Sequence, residues 1–289
     1  MALMDIQEAA VIGGGTMGSG IAHVLALAGI KTALVEADSA ALNRALQTIE
    51  KNLDRQASKK MISAEEKAAA LKRLAGSMDL NGARSAQIAI EAVPEKAELK
   101  KSVIAKLASV MSQDAILATN TSSIPITEIA AAALRPERVV GMHFMNPVPL
   151  MKLVEIVRGL QTSEGTREAA TELAKRLGKT PVLSNDFPGF ISNRLLMPMI
   201  NEACFALMEG VGTREAIDTV MKLGMNHPMG PLELADYIGL DVCLAIMETL
   251  HSGFGDPKYR PCPLLKSMVA AGRLGKKSGK GFYDHPAKP

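Results

Sequence analysis

The sequence predicts an α/β domain on a parallel, doubly wound sheet, followed by a domain built of helices alone. Three observations lead there. Short apolar runs alternate with helical patterns through the first half of the chain, which is the pattern of repeated β-α-β units. A turn-rich stretch, Ser184-Asn185-Asp186-Phe187-Pro188-Gly189, then interrupts the alternation. Beyond it, apolar residues recur at helical spacing and no convincing strand follows.

The elements can be read in order. Ala9-Ala10-Val11-Ile12 is a buried strand, and Met17 to Ala28 a helix closed by Gly29. Lys31 to Glu36 is a second strand, and Ser39 opens another helical stretch. Lys51 to Arg73 is long, charged and helical, with Ser63 and Glu66 spaced as a capping box, so a helical hairpin is expected there. Ala86 to Val93, Ala115 to Ala118, Arg138 to Phe144 and Leu150 to Val157 are further strand candidates. A helix over Ser163 to Leu177 precedes a short strand at Pro181-Val182-Leu183. After the junction, Phe190, Leu195, Met199, Ala203 and Leu207 mark one helix, and Glu215 to Leu223 and Leu232 to Leu250 continue the pattern.

Composition narrows the function. The chain has 289 residues, enough for two packed domains, with 47% hydrophobic and 22% charged residues. Lys and Arg number 33 against 30 Asp and Glu, a net charge of +3 that argues against nucleic acid or an anionic membrane as partner. Aromatic residues are only 3%, so stacking platforms for single strands are not expected either. Cys204, Cys243 and Cys262 are far apart in sequence, with neither metal-ligand nor redox spacing, and read as reduced thiols of a cytoplasmic protein. No apolar run approaches the ~20 residues that span a bilayer, and no leader sequence is recognisable.

Gly13-Gly14-Gly15-Thr16-Met17-Gly18 fits G-x-G-x-x-G between a strand and a helix, the context that gives the pattern meaning. Gly13 permits the tight turn, Gly15 lets a pyrophosphate approach the backbone, and Gly18 lets helix and strand pack closely. The helix start, with Thr16 and Met17, offers free N–H groups and a positive dipole end to phosphate. Glu36, ending the second strand, can accept from the adenosine ribose and would repel a 2′-phosphate, which favours NAD over NADP. The first domain is therefore a Rossmann-type dinucleotide-binding domain.

His143 closes one strand-like run and Glu155 lies in the next, with Asn146-Pro147-Val148-Pro149 as a turn between. A chain reversal there could bring imidazole and carboxylate together, which is how a general base is oriented, although a lone histidine at a strand end is more often structural. By themselves Ser122 reads as a turn or cap residue and Asn193 as an amide near a helix start. His23, His227 and His251 read as structural, and no metal is expected.

The chain resembles the L-3-hydroxyacyl-CoA dehydrogenases, including the bacterial 3-hydroxybutyryl-CoA dehydrogenases, over nearly its whole length. The likeness rests on Val11 to Gly18, Ile90-Glu91-Ala92-Val93-Pro94-Glu95, Thr119 to Ser123 and Gly141 to Pro149. It continues through Asp186 to Arg194 and Gly275 to Tyr283. The resemblance implies that His143 takes the 3-hydroxyl proton while hydride passes to NAD, with Glu155 as its partner. It implies that Ser122 and Asn193 contact the reacting oxygen region, and that Asn146 lies beside the nicotinamide. It places Glu95, Lys100, Ser122 and Lys277 among the NAD contacts, where a plain reading would leave Glu95, Lys100 and Lys277 as surface charge. Lys59, in the basic stretch Lys51, Arg55, Lys59 and Lys60, matches the family's CoA-binding lysine, and Asn52 stands where relatives carry serine. Glu36 stands where many relatives carry Asp, a departure that leaves the cofactor class unchanged.

The expected organisation is thus 1–184, an NAD-binding domain with a helical hairpin around 51–73, and 185–289, an all-helical domain for substrate and dimerisation. A homodimer is expected because Leu195, Leu196, Met197, Met199 and Ile200 are too many for one helix to bury on a single face. Two other readings compete: a dehydrogenase of free hydroxy acids, against which the basic hairpin argues, and a non-catalytic NAD-binding scaffold. The latter would not require His143, Glu155, Ser122 and Asn193 together.

Overall fold

The computed structural model describes residues 5–285; the extreme N-terminus, read above as carrying no leader, lies partly outside that range. The chain divides into two units between Phe187 and Pro188, within the turn-rich stretch.

The first unit carries one eight-stranded sheet. Its strands are β1 (Glu8–Ile12), β2 (Lys31–Val35), β3 (Leu74–Ser77), β4 (Ile88–Glu91), β5 (Ile116–Thr119), β6 (Val139–Phe144), β7 (Leu153–Arg158) and β8 (Thr180–Asn185). They lie in the order β3-β2-β1-β4-β5-β6-β7-β8. Every neighbouring pair is parallel except β6 and β7. The expected parallel sheet therefore holds through β6 and then reverses. The connection from Phe144 to Leu153 is too short for a parallel crossover, which takes a dozen residues or more, so the chain can only turn back. Val11, Ile90, Ala118 and Val140 at the sheet centre are fully buried, as strands covered on both faces require. The order reverses between β1 and β4, and such a switch point opens a crevice at the carboxyl ends of the strands.

Helix α1 (Thr16–Leu27) follows β1 and stops before Gly29, whose φ of +88° is a conformation suited to glycine. Helix α2 runs unbroken over Ser39–Ser58, with Asp38 accepting the Ala41 N–H at 2.6 Å. Helix α3 covers Ala64–Lys72 and opens with the Ser63/Glu66 capping box. The hairpin is thus α2 plus α3, and its first arm begins at Ser39 rather than near Lys51. Leu42, Ala45, Ile49 and Leu53 bury one stripe of α2. Helices α4 (Ala97–Val110), α5 (Ile126–Ala130) and α6 (Glu164–Arg176) complete the unit.

The second unit is helical: α7 (Ser192–Met208), α8 (Arg214–Thr219), α9 (Pro231–Ile238), α10 (Leu240–Phe254) and α11 (Pro263–Ala270). The run read as one helix from Leu232 to Leu250 is two, broken at Gly239 with φ of +108°. Its core includes Cys204, Leu232, Cys243, Leu250, Cys262 and Leu265, so the three free thiols share one apolar cluster. Met197 and Ile200 are also core residues here, while Leu195 is 68% exposed. The unit itself therefore buries part of the apolar excess that α7 shows in sequence.

Candidate active site

The glycine loop is built as its sequence requires. Gly13 has φ of +101°, and a Cβ there would lie 2.8 Å from the Ala92 carbonyl oxygen. A Cβ on Gly18 would lie 1.8 Å from the Gly13 carbonyl oxygen, so only glycine lets α1 pack this closely on the loop. Gly15 is the reverse case: a Cβ would meet nothing within 4 Å, which leaves its backbone open to a ligand. Gly15 also N-caps α1 without any side-chain cap bond and with no acid in the first turn. Such a helix end suits an anion. Glu36 reaches back from β2, its carboxylate accepting the Gly14 N–H at 2.7 Å and the Ala37 N–H at 2.9 Å.

Two cavities flank this loop. One, of about 630 Å³, is lined by Gly13, Gly15, Thr16, Met17 and Glu36, with Met78, Leu80 and Leu99 on its apolar side. Phosphate-binding backbone, a ribose-seeking acid and an apolar slot in one cavity fit a dinucleotide. The other, of about 400 Å³, is lined by Gly15, Thr16, Glu36, Arg44, Thr48, Asn52 and Asn146. It joins α2 and the β6–β7 connection to the same loop. Lys59 lies at the exposed end of α2 and is not among its lining residues. At 100° per residue Ala41, Thr48, Asn52 and Lys59 nevertheless share one face of the helix.

His143 on β6 and Glu155 on β7 are direct register partners, and Nδ1 of the imidazole lies 2.7 Å from Oε2 of the carboxylate. Both are buried, Glu155 to 1% exposure. β5 ends beside β6, with Thr119 paired to Gly141, so Ser122 and His143 follow the same end of the sheet. Asn120 ties the two strand ends together by accepting the Phe144 N–H at 2.9 Å.

A buried charged network lies beneath this edge. Glu91 ends β4 fully buried and accepts from Lys100 Nζ at 2.8 Å, Thr119 Oγ1 at 2.6 Å and the Val93 N–H at 2.7 Å. Lys100, 1% exposed, also donates to the Val93 carbonyl and pairs with Glu95 at 3.2 Å. Its ammonium protons are committed to protein acceptors, so the structure places Lys100 behind the site rather than at a ligand-facing surface. Glu95 in turn accepts from Thr121 Oγ1 at 2.5 Å and from the N–H groups of Ser122 and Ser123 at 2.9 and 3.2 Å. Burial works to raise the Glu95 pKa, but Lys100, Thr121 and Ser122 outweigh it and the net shift is downward. Glu95 is thus the residue that shapes the Ser122 loop. The parts played by Glu91 and Thr119 emerge only from these contacts. Glu91 ends an apolar run just as Glu36 does, and that signal could have found it.

Two further candidates belong to the helical unit. Asn193 lies buried in the first turn of α7, its N–H donating to the Gly189 carbonyl at 3.1 Å. Lys277 pairs with Asp241 at 2.6 Å.

Fold and site together define a dinucleotide-dependent oxidoreductase. The family model of the 3-hydroxyacyl-CoA dehydrogenase NAD-binding domain matches residues 8–187, and that of the C-terminal domain matches residues 189–285. The chain belongs to the 3-hydroxyacyl-CoA dehydrogenase family, and NAD is its cofactor. It is 53% identical over 285 residues to the 3-hydroxybutyryl-CoA dehydrogenase of Bradyrhizobium diazoefficiens, covering 98% of this chain and 97% of that one. It is 42% identical to the mitochondrial hydroxyacyl-coenzyme A dehydrogenase of Rattus norvegicus, covering 97% and 91%. The crystal structure of (S)-3-hydroxybutyryl-CoA dehydrogenase from Ralstonia eutropha matches with a TM-score of 0.96 at 46% identity, over 98% of this chain and 100% of that one.

Proposed function

We propose that this enzyme interconverts (S)-3-hydroxyacyl-CoA and 3-ketoacyl-CoA, with His143 and Glu155 as the proton-transfer pair. The observation that carries this reading is the 2.7 Å contact between the two side chains at a registered strand pair. Glu155 occupies Nδ1, so Nε2 is the nitrogen that exchanges a proton with the substrate oxygen. Held by the Glu155 carboxylate, the ring keeps one orientation and one tautomer. NAD, when bound, supplies the hydride acceptor. Ser122 and Asn193 hold the reacting oxygen, Asn146 faces the nicotinamide end, and Glu95 holds the Ser122 loop. Lys277 is proposed as a further NAD contact, Lys100 as the support of Glu95, and Lys59 with Asn52 as the anchor for the CoA phosphates. Among the described residues no helix is long and apolar enough to cross a membrane, and three reduced thiols are consistent with a cytoplasmic setting.

The deciding measurement is NADH oxidation with acetoacetyl-CoA, longer 3-ketoacyl-CoA esters and free acetoacetate. Turnover confined to the CoA esters is expected. Equal turnover of free acetoacetate would remove CoA from the reading, and no turnover with any substrate would favour a scaffold.

A further inference from the structure

Lys179 precedes β8 and is only 8% exposed, yet the reaction described above leaves it without a part. Its ammonium donates to the Val148 carbonyl at 2.5 Å and to the Met151 carbonyl at 2.8 Å. Both carbonyls belong to the β6–β7 connection, where the N–H groups of Leu150 and Met151 converge on the Pro147 carbonyl at 3.0 Å. A turn that ends this way leaves carbonyls pointing out of it, and a buried cation is a strong partner for them. Burial lowers the Lys179 pKa from its ordinary value. Keeping a lysine here carries a desolvation cost that simple packing would not require.

The opposite side of the same turn rests on α1. A Cβ on Gly20 would come within 2.8 Å of the Val148 Cβ, so the turn is seated directly on the helix that opens at the glycine loop. One turn along α1, His23 is fully buried, with Nε2 3.1 Å from Gln56 Oε1. Burial, opposed by the Gln56 bond and reinforced by the Lys179 charge, holds His23 below its ordinary pKa. The turn is clamped between α1 and Lys179, and Asn146, two residues before Val148, lines a cavity together with Gly15 and Thr16.

We propose that Lys179 is a positioning residue for the cofactor: by gripping the Val148 and Met151 carbonyls it holds Asn146 against the glycine loop. This rests on the reading that Asn146 faces the nicotinamide end of NAD. The His143–Glu155 pair is fixed by strand register and not by this turn, so losing the ammonium leaves proton transfer in place.

The test is a double-mutant cycle on the full chain with NADH. Lys179→Met and Asn146→Ala are each expected to raise KM for NADH by about tenfold, the scale of one lost charge-assisted hydrogen bond. The pH profile of kcat should not move. The double variant should be no worse than either single one, because both changes remove the same contact. Effects that multiply would overturn the role of Lys179. An unchanged KM in Asn146→Ala would instead remove the reading of Asn146 and the proposal with it. Gly20→Ala checks the same clamp from the other side, with Lys179 untouched, should Lys179→Met fail to fold. It should raise KM for NADH and again show no further effect beside Asn146→Ala; an unchanged KM overturns the proposal.

Discussion

Nδ1 of His143 and Oε2 of Glu155 lie 2.7 Å apart across one antiparallel strand pair, and backbone register alone sets both side chains on the same sheet face. Glu155→Gln keeps that shape and removes the charge. It is expected to lower kcat by roughly 10²-fold, the scale of general-base assistance, and His143→Ala to abolish turnover. NAD affinity should hold in both. Measuring kcat decides, and an unchanged kcat in Glu155→Gln would make Glu155 a strand residue only.

Cofactor choice should follow Glu36. The carboxylate that accepts the Gly14 N–H at 2.7 Å would meet a 2′-phosphate as like charge. Wild-type enzyme should strongly prefer NADH, and Glu36→Ala should narrow the ratio of kcat/KM values by about tenfold, or roughly 1.4 kcal/mol. Comparable values for NADH and NADPH in the wild type would refute the assignment.

Lys59→Ala should raise KM for acyl-CoA and leave kcat nearly intact, because a remote phosphate contact is made equally in ground and transition states. Rising salt should shrink the difference between the two proteins. An unaltered KM would mean that Lys59 is merely solvated.

Glu95 should leave a mark on acid stability. Its pKa is lowered in the folded protein from the ordinary 4.5, so its contribution is complete above 4.5 and fades as pH falls through the folded value. With the side chain 37% exposed, solvent screens part of the effect. Thermal midpoints of wild type and Glu95→Gln should differ near neutral pH and converge on acidification below 4.5. A gap that stays constant down to about pH 3.5 would contradict the linkage.

The helical unit leaves Leu195, Val211, Leu223 and Met225 exposed, at 68, 77, 82 and 60%. Apolar residues exposed to this extent fit an interface between copies of the chain. Light scattering at micromolar concentration should report a homodimer, and Leu223→Glu should weaken it. A monomeric mass for the wild type would rule the dimer out.

Where local pattern and tertiary role agreed, the sequence was easy to read. The glycine loop, the Ser63/Glu66 cap and the turn between His143 and Glu155 all carry short-range signals. β3 is not legible in the sequence, because Leu74-Ala75-Gly76-Ser77 shows no alternation and gains its strand character by pairing with β2. The break at Gly239 was hidden inside an apolar run that reads as one helix. Lys100 and Lys179 were harder still. Lysine reads as surface by default, and only tertiary contacts reveal ammonium groups turned inward onto Glu91 and onto the Val148 carbonyl.

Helix α2 also behaves as a graduated rod. Ala41 and Lys59 are separated by 18 residues, five complete turns and about 27 Å of rise, so the lysine stands directly above the residue beside the glycine loop. Inserting one residue between them would swing Lys59 through about 100° and push it outward by only about 1.5 Å. Seven residues, close to two whole turns, would return it almost to the same bearing about 10 Å farther out. The reach of this arm is therefore quantised: its length can change in steps of whole turns, and any other step trades reach for direction.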